Sequence, residues 1–251
     1  MSLRIACDLD GTIADMDAAL QREAQRLFGP DVNLRAAPGE PLESAEDMES
    51  QVGEAPITAG DEEVPEAVSP APGQGGRPLT NRELRTLWQR VSQIENFWTT
   101  LGEIEPGVVA RLASLATQHR WEVIFLTQRP ASAGETTQIQ SQRWLRAHGF
   151  ELPGVMVMMH GSRGKVADAL TLDAVIDDRP ENCLDVATDS SAMPILIWRL
   201  RPELVPAGLA RTRIEPVFSF AEALAKLEQL TAERGHRRGL LGRLRSAFSS
   251  Q

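Results

Sequence analysis

The stretch that decides the fold is LRIACDLDGTIAD, residues 3–15. Its first half is a nearly continuous apolar run, which is typical of a strand buried on both faces of a parallel sheet. Asp8 therefore emerges at the carboxyl end of that strand, where open α/β sheets bind their ligands. Asp10 follows two residues later, and Gly11 lets the backbone turn sharply beside a ligand. The run predicts two carboxylates at the ligand-binding edge of a sheet.

This Asp-x-Asp pair has two interpretations. It can be an ordinary solvated turn. Alternatively, an ionised Asp8 can attack phosphorus to give an aspartyl-phosphate, while Asp10 protonates the leaving oxygen and later deprotonates the attacking water. Two acids so close repel each other unless a cation lies between them, and Mg²⁺ prefers oxygen ligands of this kind. Residues elsewhere in the chain decide between a solvated turn and a catalytic pair.

Two later strand ends could bind phosphate. The apolar run at 121–126 is followed by Thr127, Gln128 and Arg129. Their hydroxyl and backbone N–H groups could contact phosphate oxygens, although a Thr in this position is often only a turn former. The run at 155–159 precedes a loop that contains Lys165. That ammonium could place a point charge on a phosphoryl group, or it could simply be solvated.

A fourth strand end carries adjacent acids. The short apolar run at 174–176 ends in Asp177 and Asp178, just ahead of Pro180. These acids can complete a Mg²⁺ site opposite Asp8, one of them directly and the other through water. Their alternative role is to cap the helix that Pro180 opens. Which of the two would bind the metal directly stays open.

Taken in order, these four strand ends resemble the four motifs of the haloacid dehalogenase (HAD) superfamily. Within it, the chain is similar to the 5'-deoxyribonucleotidase (cytosolic type C 5'-nucleotidase) group. The segments that carry this likeness are DLDGTIADMDAAL (8–20), ENFWTTLGEIEPG (95–107), FLTQRP (125–130) and VIDDRPENC (175–183). The resemblance implies a Rossmann-like α/β core, with a parallel sheet and helices on both faces, and a small helical cap inserted after the first motif.

The resemblance also implies roles for individual residues. Asp8 matches the nucleophile and Asp10 the acid/base. The implied phosphate ligands are Thr127, Gln128 and Lys165, and the implied Mg²⁺ ligands are Asp8, Asp10, Asp177 and Asp178. Nucleotidases of this group tend to have an aromatic residue where this chain has Met16. A base could instead stack on Trp88, Phe97 or Trp98.

The expected function is a Mg²⁺-dependent phosphatase that hydrolyses a small phosphorylated metabolite through an aspartyl-phosphate, with a nucleoside 5'-monophosphate as the best single guess. One alternative is a HAD phosphatase acting on sugar phosphates or phosphoproteins. Another is a non-catalytic protein that binds phosphorylated ligands. The acid/base position at Asp10 argues against the last, because a binding protein has no need of it.

Composition agrees with an α/β enzyme. The chain has 251 residues and 42% hydrophobic content, enough for one large domain with an inserted cap. Its net charge of −9 argues against binding a nucleic acid polymer. The two cysteines, Cys7 and Cys183, are expected to be reduced thiols. Since no run approaches the roughly 20 apolar residues of a membrane span, we expect a soluble cytoplasmic protein.

The domain organisation follows from the changes in composition. We expect a catalytic core at 1–28 and 99–232, a cap insertion at 29–98 and a basic C-terminal tail at 233–251. Within the cap, residues 35–78 are rich in Pro, Gly, Ala and Glu, which predicts a disordered acidic segment. The tail is expected to be solvated, or else to touch an anionic membrane or an acidic partner.

One helix start is predicted within the cap. Thr80 followed by Glu83 fits a capping box, with a helix running to about Ile94. Beyond the cap, helical and strand patterns alternate regularly. Repeated crossovers of this kind predict a parallel sheet that brings all four motifs to one edge.

Overall fold

The fold is given by a computed structural model that describes residues 2–34, 76–158 and 161–248. Within these ranges the chain forms ten strands and seven α-helices. The strands are β1 (Arg4–Asp8), β2 (Ala14–Asp15), β3 (Val32–Asn33), β4 (Arg77–Pro78), β5 (Gly102–Glu103), β6 (Glu122–Thr127), β7 (Gly154–Val157), β8 (Ala174–Asp177), β9 (Met193–Ile197) and β10 (Glu215–Val217). The helices are α1 (Met16–Phe28), α2 (Asn81–Ser92), α3 (Val108–His119), α4 (Thr137–Ala147), α5 (Arg163–Ala169), α6 (Pro180–Asp189) and α7 (Phe220–Phe248).

Six strands form one parallel sheet in the order β10-β9-β8-β1-β6-β7. Strand β1 is central, with β6 on one side and β8 on the other. All six strands run in the same direction, so their carboxyl ends share one edge of the sheet. The ends of β1, β6 and β8 carry Asp8, Thr127 and Asp177. The predicted α/β class with a parallel sheet is confirmed.

Strand β1 is buried on both of its faces. Ile5 and Cys7 pack in a large cluster that includes residues of α3, α4 and α7, such as Leu112, Trp144 and Leu224. Ala6 points to the other face, into a second cluster with Ala167 of α5 and Val186 of α6. The alternation explains why the sequence of β1 is apolar at successive positions rather than at every second one.

A two-strand link joins the two ends of the segment between β2 and β5, which contains the predicted cap. β2 and β5 pair antiparallel, Ala14 opposite Glu103, so the chain leaves the core and returns to it at the same place. Helices α1 and α2 contribute to one hydrophobic cluster, through Leu20 and Leu87 among others. Thr80 and Glu83 form the predicted capping box at the start of α2. That prediction is confirmed.

The structure describes only part of the predicted acidic segment and of the predicted tail. Residues 35–75 of the predicted acidic segment lie outside the described residues, but at its end Arg77–Pro78 form β4, which pairs with β3. The tail was expected to begin at 233, whereas α7 continues without interruption to Phe248. In the part of the chain that the structure describes, no helix has the length and apolarity needed to cross a membrane.

Candidate active site

Asp8 ends β1 and is 6% exposed. Its carboxylate accepts a hydrogen bond from Arg163 Nη2 at 2.5 Å. The same guanidinium reaches the neighbouring strand end, with Nε 3.1 Å from Asp177 Oδ2. Arg163 is itself only 4% exposed, so it is a buried cation bridging the ends of β1 and β8. Both Nε and Nη1 of Arg163 are buried without a hydrogen-bond partner among the described residues, so the contact of Nε with Asp177 is an ion pair only.

The predicted cation of this region, Lys165, lies elsewhere. It is exposed on α5, while Arg163, Gly164 and Ala167 form the buried face of that helix. Residues two apart on a helix point in nearly opposite directions, so Arg163 and Lys165 cannot both face the sheet. The cation that contacts Asp8 is therefore Arg163 and not the predicted Lys165, which lies two residues later in the chain.

The carboxylate of Asp10 is held by residues at the end of β6 and just after it. Arg129 donates to both of its oxygens, from Nε to Oδ2 at 2.7 Å and from Nη2 to Oδ1 at 2.8 Å. Thr127, which is 1% exposed, donates its hydroxyl to Oδ2 at 3.3 Å. Gln128 stands between them in the chain and is half-buried. The end of β6 thus meets the loop after β1, as predicted, with Arg129 as an additional partner.

The two adjacent acids at the end of β8 have different surroundings. Asp177 is fully buried, and its carboxylate accepts hydrogen bonds from Asn182 Nδ2 and the Arg179 backbone N–H besides its contact with Arg163. Asp178 turns toward the loop after β1 and accepts a hydrogen bond from the Thr12 hydroxyl at 3.2 Å. The carboxylate of Asp177 is occupied by these structural contacts, whereas that of Asp178 faces the site.

Gly11 is required for this approach. Its φ of +79° is in the left-handed region, and a Cβ added there would lie 2.2 Å from Asp178 Oδ2. The carboxylate therefore sits directly against the backbone of the turn that Asp10 and Gly11 form.

Burial dominates the electrostatics of these carboxylates. It raises the pKa of Asp8 well above its usual range, and Asp177 and Asp178 add to the rise while Arg163 opposes it. Burial and the neighbouring Asp177 raise the pKa of Asp178 to about 7. A second positive charge beside Asp8 and Asp178 would favour the ionised form of both.

The donors present fit a hard cation. Within the described ranges no group of three His, Cys, Asp or Glu side chains could hold a metal by itself. The available set is smaller: the carboxylates of Asp8 and Asp178, and the backbone carbonyl of Asp10 between them in the chain. Mg²⁺ is commonly bound by one or two carboxylates, with water and substrate phosphate completing its shell. The carboxyl groups of Asp8, Asp177 and Asp178 all interact with the single guanidinium of Arg163, so a second cation would fit here.

The aromatic residues predicted to contact a base are buried. Trp98 and Phe97 are 0% and 2% exposed, and Trp88 packs in the same cluster at 9%. Trp98 lies beneath Arg129, with the guanidinium carbon 5.0 Å from the ring centroid. Of the four candidates only Met16 is half-buried. The three rings are therefore part of the hydrophobic core, and Trp98 packs against a side chain of the site.

One supporting contact was missed by the sequence analysis. Arg199, which follows β9, donates to the backbone carbonyls of Gly11 at 3.2 Å and Thr12 at 2.7 Å. It is itself paired with Glu105 at 2.8 Å, and Glu105 accepts hydrogen bonds from the first backbone N–H groups of α7, including that of Phe220. This pair ties the loop after β1 to the C-terminal helix.

Known proteins resemble the chain only distantly. No protein-family model matches it, and no curated protein does. Among solved structures it is similar to a HAD family hydrolase from Deinococcus radiodurans R1 with bound phosphate and sodium, at 15% identity and a TM-score of 0.48, covering 90% of this chain and 96% of that one. It is also similar to a haloacid dehalogenase-like hydrolase from Streptococcus pneumoniae, at 12% identity and a TM-score of 0.45, covering 90% and 98%. A third is CbbY from Rhodobacter sphaeroides in complex with phosphate, at 17% identity and a TM-score of 0.42, covering 91% and 100%. All three TM-scores lie below 0.5, so these similarities carry no argument about function.

Proposed function

We propose that the chain is a Mg²⁺-dependent phosphatase of the HAD type, which hydrolyses a small phosphomonoester through an aspartyl-phosphate on Asp8. The observation that carries this proposal is the pair of Asp8 and Arg163. A buried carboxylate at a strand end lies against a buried guanidinium whose Nη1 and Nε have no hydrogen-bond partner in the described part of the chain. A guanidinium with an open N–H is a strong ligand for a phosphoryl oxygen.

The first half-reaction forms the covalent intermediate. Asp8 attacks phosphorus, the bond between phosphorus and the leaving oxygen breaks, and Asp10 gives that oxygen a proton. Arg163 and Thr127 are suited to bind the equatorial oxygens, on which the charge of the transition state is spread. Asp8 and Asp178, with the Asp10 carbonyl, would hold Mg²⁺, which neutralises charge on the phosphoryl group when bound.

The second half-reaction restores the enzyme. Water attacks phosphorus, its proton passes to Asp10, and the bond between phosphorus and Asp8 breaks to release phosphate. Both half-reactions use the same two aspartates. The two aspartates can act together because they lie two residues apart beside one turn. Gly11 gives that turn its conformation, and Arg199 binds its backbone.

The substrate class is a finer part of the proposal. A nucleoside 5'-monophosphate is the first candidate, on the likeness of the motifs to those of 5'-nucleotidases. Burial of Phe97, Trp98 and Trp88 leaves Met16 as the one predicted contact with some exposure. A base would then be held by an aliphatic thioether rather than by a stacked ring, which favours broad selectivity. Sugar phosphates are the second candidate.

The test is phosphate release by the purified protein from nucleotides, sugar phosphates and 4-nitrophenyl phosphate, with and without Mg²⁺. Asp8→Asn should abolish Mg²⁺-dependent release, because an amide cannot form the aspartyl-phosphate. Asp168→Asn, an exposed change on α5, is the matched control and should retain activity. Full turnover by a folded Asp8→Asn protein would refute the assignment. Tight phosphate binding by the wild-type protein without any hydrolysis would instead support the non-catalytic alternative.

A further inference from the structure

Both carboxylate oxygens of Asp10 accept hydrogen bonds from a single guanidinium, that of Arg129. Nε and Nη2 of Arg129 donate to Oδ2 and Oδ1 at 2.7 and 2.8 Å. This is the two-bond geometry between arginine and a carboxylate, which fixes orientation as well as distance. The side chain of Arg129 is completely buried, and that of Asp10 is 14% exposed. The pair therefore lies at the inner wall of the site.

Arg129 is held rigidly by its other neighbours. Its Nη1 donates to Ser141 Oγ at 3.0 Å, and its guanidinium lies 5.0 Å from the ring centroid of Trp98. Trp98 is fixed in turn, because its Nε1 donates to the Pro130 carbonyl at 3.0 Å. A guanidinium with three fixed contacts cannot reorient without breaking buried interactions. The orientation of Asp10 is consequently set before any substrate binds.

We propose that Arg129 is a positioning residue for the hydrolysis of the aspartyl-phosphate. The inference rests on the proposed function. In that step a water oxygen bonds to phosphorus, the bond from phosphorus to Asp8 breaks, and the water proton moves to Asp10. Because Arg129 donates to both oxygens of Asp10, it fixes the place at which this carboxyl group meets the attacking water. Arg129 thereby acts on the second half-reaction through Asp10, without touching the substrate.

The first half-reaction provides the contrast. With 4-nitrophenyl phosphate the leaving group departs without a proton, so transfer to Asp8 does not depend on Asp10. The parameter kcat/KM reports only steps up to the first irreversible one, here the phosphorylation of Asp8, whereas kcat also includes hydrolysis. Loss of Arg129 should therefore lower kcat while leaving kcat/KM nearly unchanged.

The experiment compares Arg129→Met with the wild-type enzyme on 4-nitrophenyl phosphate in buffer with Mg²⁺. We expect kcat and KM to fall together by roughly 10²-fold, the contribution typical of a positioned base. The ratio kcat/KM should stay within about threefold of wild type. Rapid mixing should show a burst of nitrophenolate approaching one equivalent per site, and acid quenching should trap phosphate on Asp8.

Two further variants and one control test the same separation. Arg129→Lys keeps the charge but not the two-bond geometry, and should show the same separation to a smaller degree. In an Asp10→Asn background, replacing Arg129 should cause little further loss, because both residues act in one step. Arg4→Lys, an exposed change at the opposite end of β1, is the matched control and should leave both parameters unchanged.

Equal losses in kcat and kcat/KM, with no burst, would overturn the inference and leave Arg129 as a support of the fold. If Arg129→Met does not fold, Arg129→Lys decides by the same criterion. Failure of the proposed function is distinguishable, since wild-type protein would then release no phosphate, or Asp8→Asn would remain active.

Discussion

Replacing Arg163 should be far more damaging than replacing Lys165, although the two lie two residues apart. Arg163 is 4% exposed and contacts the carboxylates of Asp8 and Asp177 at 2.5 and 3.1 Å. Lys165 is exposed. The Arg163→Met and Lys165→Met changes remove the same formal charge from the same helix. A difference in activity or stability between the two variants therefore reflects where each side chain lies, and not the loss of one positive charge.

The magnitude follows from what Arg163 touches. Loss of one preorganised donor to the charge of a transition state costs about 10²–10³ in kcat. Removing one member of a buried ion pair destabilises a fold by about 3–5 kcal/mol, a cost that proton uptake by the orphaned acid can reduce. Lys165→Met should change stability by no more than about 0.5 kcal/mol, as is usual for exposed positions.

The assay is steady-state hydrolysis of 4-nitrophenyl phosphate, with thermal unfolding of each variant measured in parallel. Arg163→Lys keeps a positive charge and should retain more stability than Arg163→Met while still losing most of the activity, because an ammonium cannot bridge both acids in the same geometry. Equal losses in Arg163→Met and Lys165→Met, or loss only in Lys165→Met, would refute the placement of the phosphate-binding cation.

Three further predictions concern stability and the turn after β1. The raised pKa of Asp178, about 7 when folded, means that the metal-free protein loses stability as pH rises from about 4 to about 7. Thermal unfolding in EDTA should therefore show Asp178→Asn to be more stable than wild type at pH 8, and by a clearly smaller margin at pH 5; equal unfolding temperatures at pH 8 would contradict this. Gly11→Ala would place a Cβ 2.2 Å from Asp178 Oδ2 and should abolish phosphate release, whereas unchanged turnover would show that the turn is not constrained. Thr80→Ala removes the cap of α2 and should lower the free energy of unfolding by about 1 kcal/mol in urea titrations, with a loss below the experimental error counting against the cap.

The strand ends could be predicted because their signal is local. A buried strand in a parallel sheet is apolar at successive positions, and the first polar residue after it marks the carboxyl end. That rule places Asp8, Thr127 and Asp177 correctly at the ends of β1, β6 and β8. The capping box at Thr80 is equally local, since it depends on two residues of one turn.

The cation could not be chosen by the same reasoning. Arg163 and Lys165 both stand in the first turn of α5, and only the orientation of the helix decides which one faces the sheet. A signal was present, because Gly164 and Ala167 are small residues on one face. A Cβ at Gly164 would lie 2.3 Å from the Asp185 carbonyl, which shows how closely that face packs on α6. Arg163 belongs to this face and Lys165 does not.

The aromatic residues were misleading for a related reason. Phe97 and Trp98 stand near the return to the core, where a ligand contact is plausible, but both are buried. Trp98 is instead a support for Arg129, a contact between segments 31 residues apart in the chain. Local patterns carry no information on such pairs, and the same holds for Arg199 and the turn at Gly11.

The central claim is that Asp8 carries phosphate during turnover. The most direct measurement is mass spectrometry of the Asp10→Asn enzyme, quenched in acid during reaction with 4-nitrophenyl phosphate and Mg²⁺, since loss of the acid/base should let the intermediate accumulate. The account predicts one phosphoryl group per chain, located on the peptide that contains Asp8 and absent when Asp8→Asn is added. Phosphate on another residue, or none while nitrophenolate is still released, would contradict it.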